Sequence, residues 1–288
     1  MEKLHSLYAL AQKTVFGLGL TALVLSVSCT TAVEPTSAID EAAVAADIIA
    51  QADFDEVDDL SSNAMIVADG GVGGRIAGMD DERMRCAVVT HDLENNEIII
   101  DFGDGCTGPH GVTRAGKIII NYQGRRFVPG SYWRVSFDSF YVNRRHIEGI
   151  RTVTNISESL EANPTFHVVL AGGKVTWPDG SFATREVDLV REWVRAANPL
   201  LDEYHILAES TTSGSTKESV RFNSVVLEDL IIKRACMGPK RGRLPVAGIK
   251  EVTIGNKTYT IDFGDGECDT LVTVTVDGES RTIDLSDR

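Results

Sequence analysis

Positive charge is missing from one long stretch of this sequence. Residues 29–74 hold ten acids and no lysine or arginine. Residues 1–28 carry +1 from Lys3, Lys13 and Glu2, so the total of −14 leaves −5 on residues 75–288. A nearly balanced folded part has no basic stripe, which excludes nucleic-acid binding. Histidine is scarce too. After Cys29 there are five, His91, His110, His146, His167 and His205, with no two inside four residues of each other, so a zincin-type site is absent. Neither G-x-S-x-G nor S-x-x-K occurs. Long apolar runs are also lacking. Val15 to Val27 is a charge-free stretch of thirteen residues, too short to span a bilayer but sized for a signal-peptide core.

The residues after that core set the expected location. Ser26, Val27 and Ser28 are small, and Cys29 comes next. The pattern resembles the lipobox of bacterial lipoproteins, in which the cysteine is acylated and becomes the first residue after cleavage. It departs at Ser26, where leucine is usual, although Leu25 stands one place earlier. An ordinary secretory signal with an incidental Cys29 is the alternative. The resemblance implies a signal peptide over 1–28, lipidation at Cys29 and membrane attachment through the lipid anchor; two or more acyl chains hold firmly where one does not. Thr30 replaces the aspartate that retains such proteins at the inner membrane, which implies the outer membrane, on a side left undecided.

Cysteine is otherwise limited to Cys86, Cys106, Cys236 and Cys268. An even number in an exported chain reads as disulfides, with three possible pairings. A repeat selects one of them. Ile98-Ile99-Ile100-Asp101-Phe102-Gly103-Asp104-Gly105-Cys106 has a twin in Tyr259-Thr260-Ile261-Asp262-Phe263-Gly264-Asp265-Gly266-Glu267-Cys268. In both, alternating apolar residues mark a half-buried strand that ends in Gly-Asp-Gly. The glycines permit positive φ, and the aspartate between them can bond its own backbone. Each copy has one cysteine upstream and one after the turn, which predicts Cys86 with Cys106 and Cys236 with Cys268. A four-cysteine zinc site is the rival, but no C-x-x-C spacing occurs.

Taken in order, residues 29–37 read as a tether and 38–62 as an acidic helix. Ser37 is placed as its N-cap, and Val44, Ala45, Ile48, Ile49 and Ala52 form its stripe. The stripe slips after Ala52, and Asp55, Glu56, Asp58 and Asp59 oppose the helix dipole, predicting a frayed, solvated end. A glycine-rich linker is expected over 63–82, with Asp69 to Gly78 lacking a phosphate-loop pattern. From Arg83 strand signals dominate, with a first β module over 83–195 and a second over 196–288, or one continuous domain. Phe166 to Leu170 and Val175 to Trp177 read as a hairpin about Ala171-Gly172-Gly173. Tyr204 to Thr212, Lys217 to Asn223 and Val225 to Ile232 read as three further strands. Short loops and no βαβ pattern predict an all-β fold, an antiparallel meander preceded by one helix.

Asp-Phe-Gly-Asp-Gly-Cys, Phe-Asp-Ser-Phe-Tyr-Val-Asn (137–143), Ile-Glu-Gly-Ile-Arg-Thr-Val-Thr-Asn (147–155) and Val-Arg-Glu-Trp (190–193) resemble a family of Bacteroidetes lipoproteins. The resemblance implies a location and no activity. No catalytic residue, metal site or cofactor is expected. Asp101 and Asp104, with Asp262 and Asp265, are possible calcium ligands, but turn chemistry accounts for them without an ion. Arg125, Arg126, Arg144, Arg145 and His146 read as a small basic cluster on turns. The expected function is a membrane-tethered, non-catalytic envelope protein with a structural role or one in binding a partner or ligand, the partner an envelope protein or glycan. The alternatives are a carboxylate-dependent glycan hydrolase and a lipid or lipoprotein carrier with an apolar cavity.

Overall fold

The computed structural model describes residues 54, 56–65, 82–108, 111–237 and 244–285. Cys29, the tether, most of the expected helix and the stretch 69–78 lie outside the described residues. Among the described residues fifteen strands form one antiparallel sheet. They are β1 (Val88–Asp92), β2 (Glu97–Asp101), β3 (Cys106–Thr107), β4 (Thr113–Gln123), β5 (Tyr132–Val142), β6 (Arg145–Asn155), β7 (Thr165–Thr176) and β8 (Phe182–Val194). After these come β9 (Glu203–Ile206), β10 (Thr211–Ser215), β11 (Arg221–Lys233), β12 (Ala247–Ile254), β13 (Lys257–Asp265), β14 (Leu271–Val276) and β15 (Glu279–Asp284). Neighbours in space are neighbours in sequence almost throughout. The all-β antiparallel meander read from period-two alternation is the observed fold.

Alternation buries one face along the sheet. Ile98 and Ile100 on β2, Ile118 and Ile120 on β4, and Val168 and Leu170 on β7 point inward, as do Tyr259, Ile261 and Phe263 on β13. The inward side chains form two apolar clusters, one spanning β2 to β8 and one spanning β9 to β15, and Leu189 packs against both. A helix, α1, runs through residues 56–65, with Phe54 in the same conformation. Its Phe54, Val57, Leu60, Ala64 and Met65 belong to the first cluster.

Several sequence expectations change. The helix does not end at residue 62; it continues to residue 65, so the first three residues assigned to the linker are helical. Its stripe does not lapse either, because Val57, Leu60, Ser61 and Ala64 are all buried at helical spacing. The hairpin about Ala171-Gly172-Gly173 is instead one strand, β7, interrupted by a register shift between Leu170 and Gly173. The glycines serve a bulge: a Cβ on Gly173 would stand 2.4 Å from the Arg185 carbonyl oxygen. Tyr204 to Thr212 is two collinear strands, β9 and β10, which lie end to end between β8 and β11. Lys217 to Ile232 is a turn and then one strand, β11.

A second bulge falls at Gly116, where a Cβ would meet the Ser139 carbonyl oxygen at 1.8 Å. Such bulges bend a strand and raise its twist. They let strands β2 to β8 share one apolar cluster with a single helix.

Antiparallel pairing sorts the connections into two sets. Those after β1, β4, β6, β8, β11 and β13 fall at one end of the sheet, the upper rim. Those after β2, β5, β7, β10, β12 and β14 fall at the lower rim. The disulfides are Cys86–Cys106 and Cys236–Cys268, as the repeat selects. The first closes below the β1–β2 hairpin and the second above the β12–β13 hairpin, so the modules flank the sheet at opposite rims. In each copy the first aspartate of Asp-Phe-Gly-Asp-Gly makes the turn bond, not the one between the glycines. Asp101 Oδ1 accepts from the Gly103 amide at 2.8 Å, and Asp262 Oδ1 accepts from the Gly264 amide at 2.9 Å.

Because the bridges are local, Cys86→Ser is expected to free the Cys106 thiol and leave Cys236–Cys268 formed, at a cost of about 3 kcal/mol for a loop of this size. Non-reducing peptide mapping that links Cys106 to Cys236 or Cys268 would contradict this.

Candidate functional site

Three of the six buried charged residues among the described ones, Asp58, Arg114 and Arg151, meet where α1 contacts the sheet. On β4, β6 and β8 the inward register places arginine where neighbours are apolar: Arg114 ahead of Ile118, Arg151 between Ile147 and Val153, and Arg191 beside Trp193. A guanidinium there is cut off from water and keeps its charge only with an anion beside it. α1 supplies the anions. Asp58 is 2% exposed and faces Arg151, likewise 2% exposed, whose Nη2 donates to Oδ2 while its Nε lies in ion-pair contact with Oδ1. Arg191 Nη1 approaches Asp58 Oδ2 at 3.4 Å from the far side. Glu56 Oε1 receives Nε and Nη2 of Arg114 at 2.5 Å each. Asp59 faces Arg83 at 3.7 Å. Arg126 donates to the Ser62 carbonyl at 3.2 Å, with its guanidinium over Phe127 and Trp133.

The expectation of a frayed, solvated acidic end is therefore overturned. Glu56, Asp58 and Asp59 are spent on arginines of the sheet, and Asp58 is inside the core. The signal is present in both halves of the sequence. Arginines at inward positions of a period-two pattern need anions, and a segment with no basic residue has anions to give.

The remaining predicted residues are dispersed. Arg125 and Arg126 lie at the upper rim and Arg144 at the lower, separated by the eleven residues of β5, about 35 Å, so no basic cluster forms. Arg145 and His146 are already in β6. Asp101 Oδ2 is taken by Lys117 Nζ at 3.1 Å, and turn geometry accounts for Asp101 and Asp262. Each described histidine has its own neighbour: His91 with Tyr122 Oη at 2.6 Å, His146 stacked on Tyr141, His167 with Asp188 at 2.7 Å, His205 with Glu203 at 2.9 Å. Among the described residues no group of three His, Cys, Asp or Glu is placed to hold a metal ion. A cavity of about 250 Å³ opens beside the first disulfide, lined by Glu82, Arg85, Cys86, Thr107 and Gly108.

At the lower rim Asp179 joins two turns. The Ser181 hydroxyl, then Lys217 of the β10–β11 turn, then the Ser181 amide hold its carboxyl down to about 2, from 3.8. A depressed carboxylate stabilises the fold fully above its unfolded value, and the contribution is lost as pH falls through the folded one. The window thus lies between about 4 and about 2. An NMR titration should place the Asp179 midpoint near 2, and Lys217→Met should move it upward.

The ion pairs give a sharper test. Asp58→Ala leaves Arg151 buried without its partner and is expected to cost about 3–5 kcal/mol in urea unfolding. Replacing the pair together, Asp58→Leu with Arg151→Met, should recover most of that loss. Equal losses for the single and double variants would show that the pair does not hold α1. No protein-family model, no curated protein and no solved structure matches the chain, so its function has to be read from its own geometry.

Proposed function

We propose that the chain is a lipid-anchored protein of the outer membrane, held through Cys29, whose curved sheet serves as a non-catalytic module for binding an envelope protein or glycan. The observation that carries this reading is that the chain fills its own apolar trough. Phe54, Leu60 and Met65 occupy the inward face of β2 to β8, where a hydrolase would open its cleft or a carrier would lodge its cargo. The acids gathered on α1 face guanidiniums, which ties them to holding the helix. The outward side chains on β10 and β13 to β15 are largely threonine, serine and charge, a surface suited to contact with a partner.

The anchor rests on Cys29 following a charge-free core and small residues. Cys29→Ser is expected to move the protein from the membrane pellet to the soluble fraction and to change the processed N-terminus. A variant that stays in the pellet and is cut at the same bond would refute the anchor.

A further inference from the structure

The two rims of the sheet differ in kind. Turns of the lower rim have polar tips, Asn143, Asp179, Ser219, Asn256 and Asp277, and the exposed apolar residues of that rim, Val88, Tyr141, Phe182 and Val220, lie at strand ends beside them. Upper-rim connections carry aliphatic side chains instead: Leu93 after β1, Val128 after β4, Ile156 and Leu160 after β6, and Leu200 and Leu201 after β8. These six are 43% to 71% exposed. Four separate loops repeat the feature, and the strand directions bring them to one end.

The upper-rim loops are also tied to each other. Asn155 donates through Nδ2 to the Arg126 carbonyl at 2.9 Å, and its own carbonyl accepts from the Gly130 amide at 2.9 Å. That joins the β4–β5 loop to the end of β6. Arg195 Nη2 donates to the carbonyls of Ala162 at 2.6 Å and Glu161 at 3.2 Å, which joins the β6–β7 and β8–β9 loops. Leu200 and Leu201 sit on a single 3₁₀ turn whose Asn198 cap accepts from the Leu200 amide at 3.1 Å. Asp202, fully buried, closes that loop by accepting from Trp193 Nε1 at 3.1 Å and the Ala196 amide at 2.8 Å. The aliphatic tips are thus presented outward by a fixed frame.

We propose that the upper rim is a membrane-docking edge whose aliphatic tips enter the apolar part of a lipid leaflet. A lipid surface fits better than a protein partner. The six tips are all leucine, isoleucine or valine, side chains that partition favourably into a leaflet interior. They project separately from four loops, and a fluid leaflet receives separated tips without a matching shape. Charges beside them are mixed, Glu94, Glu158 and Glu161 against Arg125 and Arg195, so docking depends on apolar insertion and not on anionic headgroups. The chain from Cys29 to Phe54 spans at most about 90 Å, against about 43 Å for the longest strands, so an anchor at Cys29 can share the leaflet that the rim enters. That last point rests on the anchor proposed above; the docking edge itself does not.

Site-resolved quenching tests it. Leu201→Trp and Leu160→Trp at the upper rim, and Val220→Trp at the lower, are each compared with the native chain on phosphatidylcholine vesicles containing brominated acyl chains. The added tryptophans at Leu201 and Leu160 should shift to the blue and be quenched, while that at Val220 is not. In the Cys29→Ser background, Leu200→Asp with Leu201→Asp should weaken vesicle binding at least tenfold, with little dependence on salt. Absence of quenching at the upper rim, or equal quenching at both rims, overturns the proposal, including the case in which the rim binds a protein. The mass of the N-terminal peptide reports the anchor separately, so failure of one idea is distinguishable from failure of the other.

Discussion

The pairing of Asp58 with Arg151 is the constraint on which the first half of the structure depends. Arg151 projects from the middle of a central strand into a region of isoleucine, valine and tryptophan, where its charge has no route to water. Only an anion delivered from the opposite side can settle it, and α1 can deliver one in a single position along its axis. Glu56 against Arg114 and the second approach by Arg191 fix the rotation of the helix as well. Apolar side chains alone would tolerate a slip by one turn. The charges specify the seat even though burying them adds little net stability.

The glycine bulges serve the same seat. Strands β2 to β8 are wider than one helix, and they meet it together because glycine bulges bend them. Gly116 and Gly173 sit where another backbone passes too close for any side chain.

Much of this fold is legible from sequence, and the misses share a cause. Period-two alternation locates the strands, and the repeat chooses the disulfides, because both are local properties. Gly172-Gly173 reads as a hairpin turn because a bulge and a turn ask the same thing of a glycine. Only the partner strand tells them apart. The acidic end of α1 reads as solvated because its counterions lie up to 133 residues away, and the inward arginines of those strands call for an anion without telling which segment supplies it. The expected basic cluster fails for the converse reason. Arg126 and Arg144 are close in sequence, but one long strand carries them to opposite rims.

The seat of α1 also imposes an order on biogenesis. The helix is made early, yet Arg191, the last of its partners, is made 133 residues after Asp58. At about 5–20 residues per second, synthesis needs on the order of ten seconds after α1 before its binding surface is complete. The apolar side chains that cover its stripe arrive one strand at a time, Ile98 and Ile100 first and Val187 last. The acids that end as counterions in the core are thus unpaired charges on an open segment for as long as the chain is unfinished.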